Sequence, residues 1–343
     1  MTQETGPSRR VLIGSAGALL AAAPAMVASS RAASAMPADM WRAEYAATKQ
    51  RDVETISLAI YRRRAHAPVP GEAALPVLFL VHGSSNSALS SFDLTVHTPG
   101  DYSLMDVFAG YGFDVWTMDH EGYGKSQRTS GNSDIASGVA DLRAAADLIQ
   151  RETGQSRIHF CGESSGAIRA AAFAAAEPDR TGRLVLTAFT YTGRGSPTLT
   201  KRAEGLEFYR THNRRPRDLA MIRSIFTRDR PGTSDPAVAD AIAKVELPFG
   251  DSVPTGTYLD MTANLPLVDP AKILSPVLLM KGEFDGIATV ADLVDFFEKL
   301  PNGERQLVIV PGAAHSLAMS LNRAIMWHVM RGFLTMPPVL AAG

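Results

Sequence analysis

The sequence predicts an α/β fold, a mostly parallel central sheet flanked by helices, with an inserted and mainly helical segment late in the chain. Three observations predict it. Short apolar runs at residues 76–81 (PVLFLV), 113–118, 158–161, 183–189 (RLVLTAF), 276–280 (PVLLM) and 306–310 (QLVIV) read as strands buried on both faces. Helix-like segments fall between them, at 104–109, 135–151, the Ala-rich stretch before Pro178, and 290–300. Such alternation implies parallel strands joined by helical crossovers. Third, more than eighty residues separate Phe189 from Pro276, far more than a single crossover needs.

Length and composition agree with that class. At 343 residues the chain can bury a large core, and 45% hydrophobic with 20% charged residues is ordinary for a globular enzyme. A formal net charge of −1 gives no reason to expect a nucleic-acid partner. The single cysteine, Cys161, rules out an intramolecular disulfide and a cysteine-based zinc site. Neither H-E-x-x-H nor G-x-x-x-x-G-K-[ST] occurs, and Gly122-Tyr123-Gly124 lacks the third glycine of a dinucleotide fingerprint. No cofactor and no metal are expected.

In chain order, residues 1–35 read as an export signal. Ser8-Arg9-Arg10-Val11-Leu12-Ile13 resembles a twin-arginine motif, a weakly apolar Ala- and Gly-rich run follows, and Ala33-Ser34-Ala35 fits a cleavage site. The run is short and broken by Pro24, a poor fit to a membrane span. The expectation is a mature protein starting near Met36, periplasmic or secreted from a bacterium, with no stable membrane anchor. Residues 53–61 (VETISLAIY) alternate as an early strand or hairpin, and 62–71, with Pro68 and Pro70, read as a turn or loop.

The strand at 158–161 runs into Gly162-Glu163-Ser164-Ser165-Gly166 and then straight into an Ala-rich helix. A G-x-S-x-G of this length arises by chance in roughly one chain in ten, so its setting matters more than its letters. A strand that must become a helix at once cramps the backbone and exposes Ser164 at the tip. The helix start also offers unpaired N–H groups and a positive dipole end beside the hydroxyl. In parallel sheets functional loops gather at the carboxyl ends of the strands. Those ends carry His82-Gly83-Ser84, Asp119, Ser164, Asp285 and His315.

From about residue 53 to 333 the chain resembles an α/β-hydrolase. The order nucleophile, acid, histidine holds as Ser164, Asp285 and His315. Lys281-Gly282-Glu283-Phe284-Asp285 lies past a strand where that family places its acid, and Pro311-Gly312-Ala313-Ala314-His315 where it places its base. Glu283 is the rival acid. Asp119 to Ser126 resembles the family's D-x-x-G-x-G-x-S turn, which implies a structural Asp119. The resemblance implies a Ser-His-Asp triad and an oxyanion hole of backbone N–H groups from Ser165 and from Ser84, with Ser85 the alternative to Ser84. His82 reads as a structural hydrogen-bonder, and His97 and His120 as structural or surface residues.

By the same resemblance, residues 36–189 and 271–343 form the catalytic core and 190–270 a cap. Its first half is crowded with Arg194, Lys201, Arg202, Arg210, Arg214, Arg215, Arg217, Arg223, Arg228 and Arg230, against fewer acids. A solvated outer face is the plainer reading; arginines facing the cleft and binding an acidic substrate group is the other. Tyr191, Phe208, Tyr209, Phe226, Phe249 and Tyr258 either line a pocket or form the cap's own core. The function expected is hydrolysis of a small-molecule carboxylic ester through an acyl-enzyme. The alternatives are amide, lactone or carbon–carbon hydrolysis on the same triad, or a non-catalytic binding protein on this scaffold. Ser165-Gly166-Ala167 after Ser164 departs from the S-M-G-G of many carbon–carbon hydrolases. Oligomeric state is not legible.

Overall fold

A computed structural model describes residues 40–337; the predicted export segment lies outside the described residues. Eight strands form the central sheet: β1 (Trp41–Arg51), β2 (Glu54–Arg64), β3 (Val77–Val81), β4 (Asp114–Met118), β5 (Ile158–Glu163), β6 (Thr181–Thr187), β7 (Val277–Gly282) and β8 (Arg305–Val310). Their order is β1-β2-β4-β3-β5-β6-β7-β8. All neighbours from β4 to β8 pair in parallel, and only β2 runs against them.

The apolar runs divide residue by residue between the two faces. Phe79, Val81, Leu184, Leu186, Val277 and Leu279 join one core cluster. Leu78, Leu80, Val185, Leu278 and Met280 join the other. Side chains alternate along a strand, so a strand covered on both sides must be apolar throughout. Helix α1 (Leu104–Gly110) contributes to the second cluster; α2 (Ile135–Thr153) and α3 (Ser165–Ala176) contribute to the first. The Asp134 side chain caps α2 by accepting from the Ser137 amide, and Gly154 ends it in the left-handed conformation at φ 70.

At the start of the described residues the structure adds one strand and corrects one expectation. Residues 41–51 form β1, paired with β2 over its whole length from Trp41–Arg64 to Arg51–Glu54. Trp41, Tyr45 and Thr48 favour a strand but three alanines and five charged or amide residues do not, so cross-strand pairing completes what local preference leaves mixed. Residues 62–64 belong to β2 and not to the loop expected at 62–71. Their three arginines are buried, and each finds an acid. Arg62 grips Asp114 with Nε–Oδ1 2.8 Å and Nη2–Oδ2 2.5 Å; Arg63 meets Asp93 at 2.5 Å and also Asp106; Arg64 meets Glu72 at 2.5 Å. Charge read as a sign of solvent exposure misleads when partners arrive from distant segments.

Between β6 and β7 the chain forms an insertion. It holds the short helices Pro197–Ala203 and Leu206–Thr211, the helices α4 (Leu219–Thr227) and α5 (Pro236–Glu246), and a two-stranded ribbon of Arg214–Pro216 with Ser252–Pro254. Ile222, Ile225, Phe226, Val238 and Ile242 of α4 and α5 pack together with Leu94, Tyr102 and Met319 of the core. Helices α6 (Val290–Lys299) and α7 (Arg323–Leu334) complete the two outer layers. Among the described residues no helix is long and apolar enough to cross a membrane.

Removing one partner of a buried, doubly hydrogen-bonded ion pair strands the other charge. Asp114→Ala, which leaves Arg62 unpaired, is expected to lower stability by about 3–5 kcal/mol, read as a shift in the urea unfolding midpoint.

Candidate active site

The site is built where β5 turns into α3. Ser164 sits in the turn at φ 58, ψ −122, a region that non-glycine residues rarely occupy. Its amide is held by the Thr187 carbonyl on β6 at 2.9 Å. The flanking glycines are there for space. A Cβ on Gly162 would lie 2.4 Å from the Gly166 carbonyl oxygen, and one on Gly166 would lie 2.2 Å from the Val81 oxygen and 2.5 Å from that of His82. The turn and the end of β3 are therefore in backbone contact.

His315 follows β8, and its Nε2 lies 3.0 Å from Ser164 Oγ. Its Nδ1 lies 2.9 Å from Asp285 Oδ1, an oxygen that also accepts from the amides of Ile287 (2.8 Å) and Ala288 (3.2 Å). A carboxylate facing Nδ1 fixes the proton there, which leaves Nε2 free to accept from the serine hydroxyl. Burial by itself would raise the Asp285 carboxyl; the facing imidazole and the two amides outweigh it and hold the group below its ordinary 3.8. Glu283 is exposed and bonds the Gly312 amide through Oε2 at 2.8 Å. Three residues from three strand ends thus meet in one chain of hydrogen bonds.

The loop after β3 supplies the other wall. Buried His82 accepts the His120 amide on Nε2 at 3.1 Å, so its Nδ1 carries the proton and donates to the Gly83 carbonyl at 2.8 Å. In a trans peptide, N–H and C=O point to opposite sides. Holding the Gly83 carbonyl therefore turns the Ser84 amide the other way, beside a Gly83 whose added Cβ would lie 3.4 Å from that of Ser164. Burial, reinforced by His120 and Arg169, keeps His82 well below its ordinary value and hence neutral. His120 is likewise buried and binds Asp141 through Nδ1 at 2.9 Å, while His97 meets Asp235 at 2.8 Å near the surface. Asp119 accepts from the Tyr61 hydroxyl and the amides of Ala88 and Lys125 at 2.7–2.9 Å, which ties down its own turn.

Two participants, Thr257 and Tyr123, are given no role by the sequence. Thr257 of the insertion donates to Ser84 Oγ at 2.8 Å, and Ser84 Oγ donates to Ser165 Oγ at 2.7 Å. Tyr258 and Ser85 share a hydroxyl hydrogen bond of 2.8 Å, and the Tyr123 hydroxyl donates to the Ser84 carbonyl at 2.9 Å. No motif marks Thr257; only the return of the insertion over the loop brings it near. A small recess is bordered by Gly83, Ser84, Glu163, Ser164, His315, Arg202 and Arg228. A larger cavity of about 740 Å³ adjoins it under the insertion.

The arginines of the insertion do not share one fate, and for several the solvated-face reading fails. Arg223 and Arg210 lie outside, paired with Asp240 and Glu207. Arg217 is buried against Glu246 and donates to the Ser85 carbonyl at 3.2 Å. Arg202, Arg215 and Arg228 line the cavity. Of the aromatics, Tyr209 and Tyr258 border that cavity, whereas Tyr191 and Phe226 pack in cores. Among the described residues no group of three or more His, Cys, Asp or Glu is arranged to hold a metal.

Comparison with known proteins gives this geometry a context. Residues 98–322 match the hydrolase family described as serine aminopeptidase, S33. A curated 2-hydroxy-6-oxononadienedioate/2-hydroxy-6-oxononatrienedioate hydrolase from Paraburkholderia phymatum is 31% identical over 162 residues, 46% of this chain and 51% of that one. The match thus spans about half the length of the curated relative. Among solved structures, a thermophilic esterase from Thermogutta terrifontis superposes with a TM-score of 0.58 at 22% identity, covering 85% of this chain and 100% of the other. The 2-hydroxy-6-oxo-6-phenylhexa-2,4-dienoate hydrolase from a Rhodococcus strain gives 0.60 at 15%, covering 86% and 99%. At such identities these two structures speak for the fold alone.

Two outcomes follow from the geometry. Gly166→Ala forces a methyl into the β3 carbonyls and is expected to yield no folded, active protein, checked by circular dichroism and soluble yield. A carboxylate held below its ordinary value stabilises the fold above pH 3.8, and that contribution is lost as pH falls through the depressed value. The stability gap between wild type and Asp285→Asn, from thermal melts, should therefore be widest above pH 4 and close on acidification.

Proposed function

The chain belongs to the serine aminopeptidase, S33, family of α/β-hydrolases, and we propose that it cleaves a small-molecule carboxylic ester through an acyl-enzyme at Ser164. The observation that carries the reading is the chain Ser164 Oγ to His315 Nε2 (3.0 Å) and His315 Nδ1 to Asp285 Oδ1 (2.9 Å), with Ser164 on a strained turn. His315 takes the hydroxyl proton as Oγ attacks the ester carbonyl. Asp285 holds the imidazole and stabilises the imidazolium. The amides of Ser84 and Ser165 receive the oxyanion, each such donor being worth about 3 kcal/mol in related chemistry. His315 then returns the proton to the leaving alcohol, and water, activated the same way, releases the acid.

In this reading residues 190–270 serve as a cap over the cleft and 1–35 as an export signal that sends the hydrolase to the periplasm or the medium. An N-terminus near Met36 in protein recovered from those fractions would support the latter. A second reading, carbon–carbon hydrolysis on the same three residues, is favoured by the names of the curated relatives. The family description adds peptide amides as a third substrate class.

A fluorophosphonate probe followed by intact-protein mass spectrometry tests the nucleophile. Wild type should gain one adduct and Ser164→Ala none; an unlabelled, folded wild type that also turns over no ester would point to a binding scaffold. A parallel panel of esters, aminoacyl anilides and a 2-hydroxy-6-oxo-dienedioate separates the reaction classes. Esters should turn over fastest, and exclusive consumption of the dienedioate would replace the ester reading.

A further inference from the structure

The larger cavity poses a charge problem that the chemistry at Ser164 does not use. It extends from Ser85 and Asp285 between the helix Pro197–Ala203, α4 and Tyr258, and it shares Arg202 and Arg228 with the recess around Ser164. Four cations line it. Lys201 is paired with Glu204 at 2.6 Å and Arg228 with Asp229 at 3.4 Å. Arg202 and Arg215 meet no carboxylate among the described residues. Their guanidinium carbons stand 4.8 and 4.6 Å from the ring centre of Tyr258, and Arg202 makes one further contact, Nη1 to Met261 Sδ at 3.8 Å.

Three acids line the cavity: Asp285 faces His315, Glu283 the Gly312 amide, and Asp229 faces Arg228 and Thr198 through Oδ1. Contact with the ring attracts each guanidinium, but it also holds two like charges near one another. Burial, opposed by Tyr258 and abetted by Arg228 and Arg215, draws Arg202 down to about 10. Two neighbouring cations, neither of them paired with a carboxylate among the described residues, cost stability, and proteins tolerate such conflicts chiefly at functional sites.

We infer that Arg202 and Arg215, both set against Tyr258, form an anion subsite that holds a carboxylate on the part of the substrate remote from the scissile carbonyl. A guanidinium fork suits a carboxylate in two-point contact. The hydroxyl bond from Tyr258 to Ser85 ties the same ring to the loop that carries Ser84. The inference rests on the hydrolase reading only for what the anion is attached to; binding of the anion does not require turnover.

The test is calorimetric titration of the Ser164→Ala protein with monomethyl glutarate and with dimethyl glutarate. The half-ester is expected to bind about ten-fold more tightly, the scale of one charge-assisted contact. That preference should vanish when Arg202→Gln and Arg215→Gln are added, return in part with Arg202→Lys and Arg215→Lys, and persist in Arg223→Gln, whose guanidinium sits outside on Asp240. Thermal melts check that each variant folds. Equal affinity for the two esters, no binding of either at millimolar concentration, or a preference that survives the double glutamine variant would each overturn the subsite. Wild-type ester turnover decides the other question separately. Turnover without anion preference removes the subsite alone, and anion preference without turnover removes the ester reading alone.

Discussion

The backbone contact between the end of β3 and the first turn of α3 is the constraint on which the site depends. Gly166 lies against the carbonyls of Val81 and His82, and Gly162 lies against Gly166 and Ala167, with no room for a Cβ at either place. That approach brings the loop 82–85 beside Ser164, close enough that a Cβ on Gly83 would lie 3.4 Å from the Cβ of Ser164. It also forces Ser164 into a conformation that costs of order 1–3 kcal/mol, a strain held by the parallel strands on either side. The sheet is the rigid part, and the reactive geometry is hung from its edge of strand ends.

Beneath the loop lies a layer of buried polar groups that fixes its orientation. Lys49 bridges Glu121 and Asp141 at 2.7 Å each, Asp141 holds His120, and the His120 amide sets the tautomer of His82. One proton position on His82 then decides which way the Gly83–Ser84 peptide faces. Such a network is stabilising only when its members are satisfied, and a buried charge without its partner is expensive. Arg217 and Glu246 play the same part on the other side, tying α5 of the insertion to Ser85, Ser87 and Ser90. The insertion is thus fastened to the loop by polar contacts that leave a cavity beside them.

Much of the architecture was legible in the chain because local patterns carry it. Apolar runs longer than their alternating neighbours mark strands covered on both faces, and G-x-S-x-G between such a strand and an Ala-rich helix marks the sharp turn. Strand ends offered Asp285 and His315 among several candidates, the resemblance to α/β-hydrolases singled them out, and the two lie in one chain of hydrogen bonds with Ser164. The hairpin arm was less legible. In β1 the strand formers Trp41, Tyr45 and Thr48 are diluted by alanines and charges, and the arginines of β2 look like a loop until Asp114, Asp106, Asp93 and Glu72 arrive from elsewhere.

The sequence by itself determined the fold class, the turn at Ser164 and the residues that could meet there, because period and steric need are properties of short segments. Which acid faces His315 and which of ten cations look into the cleft were decided only in three dimensions. Those outcomes depend on contacts between residues that lie scores of positions apart, such as Thr257 with Ser84 and Arg202 with Tyr258. A charge on a helix carries no mark of the side it will face. Only packing turns Arg223 to solvent and Arg202 to the cavity.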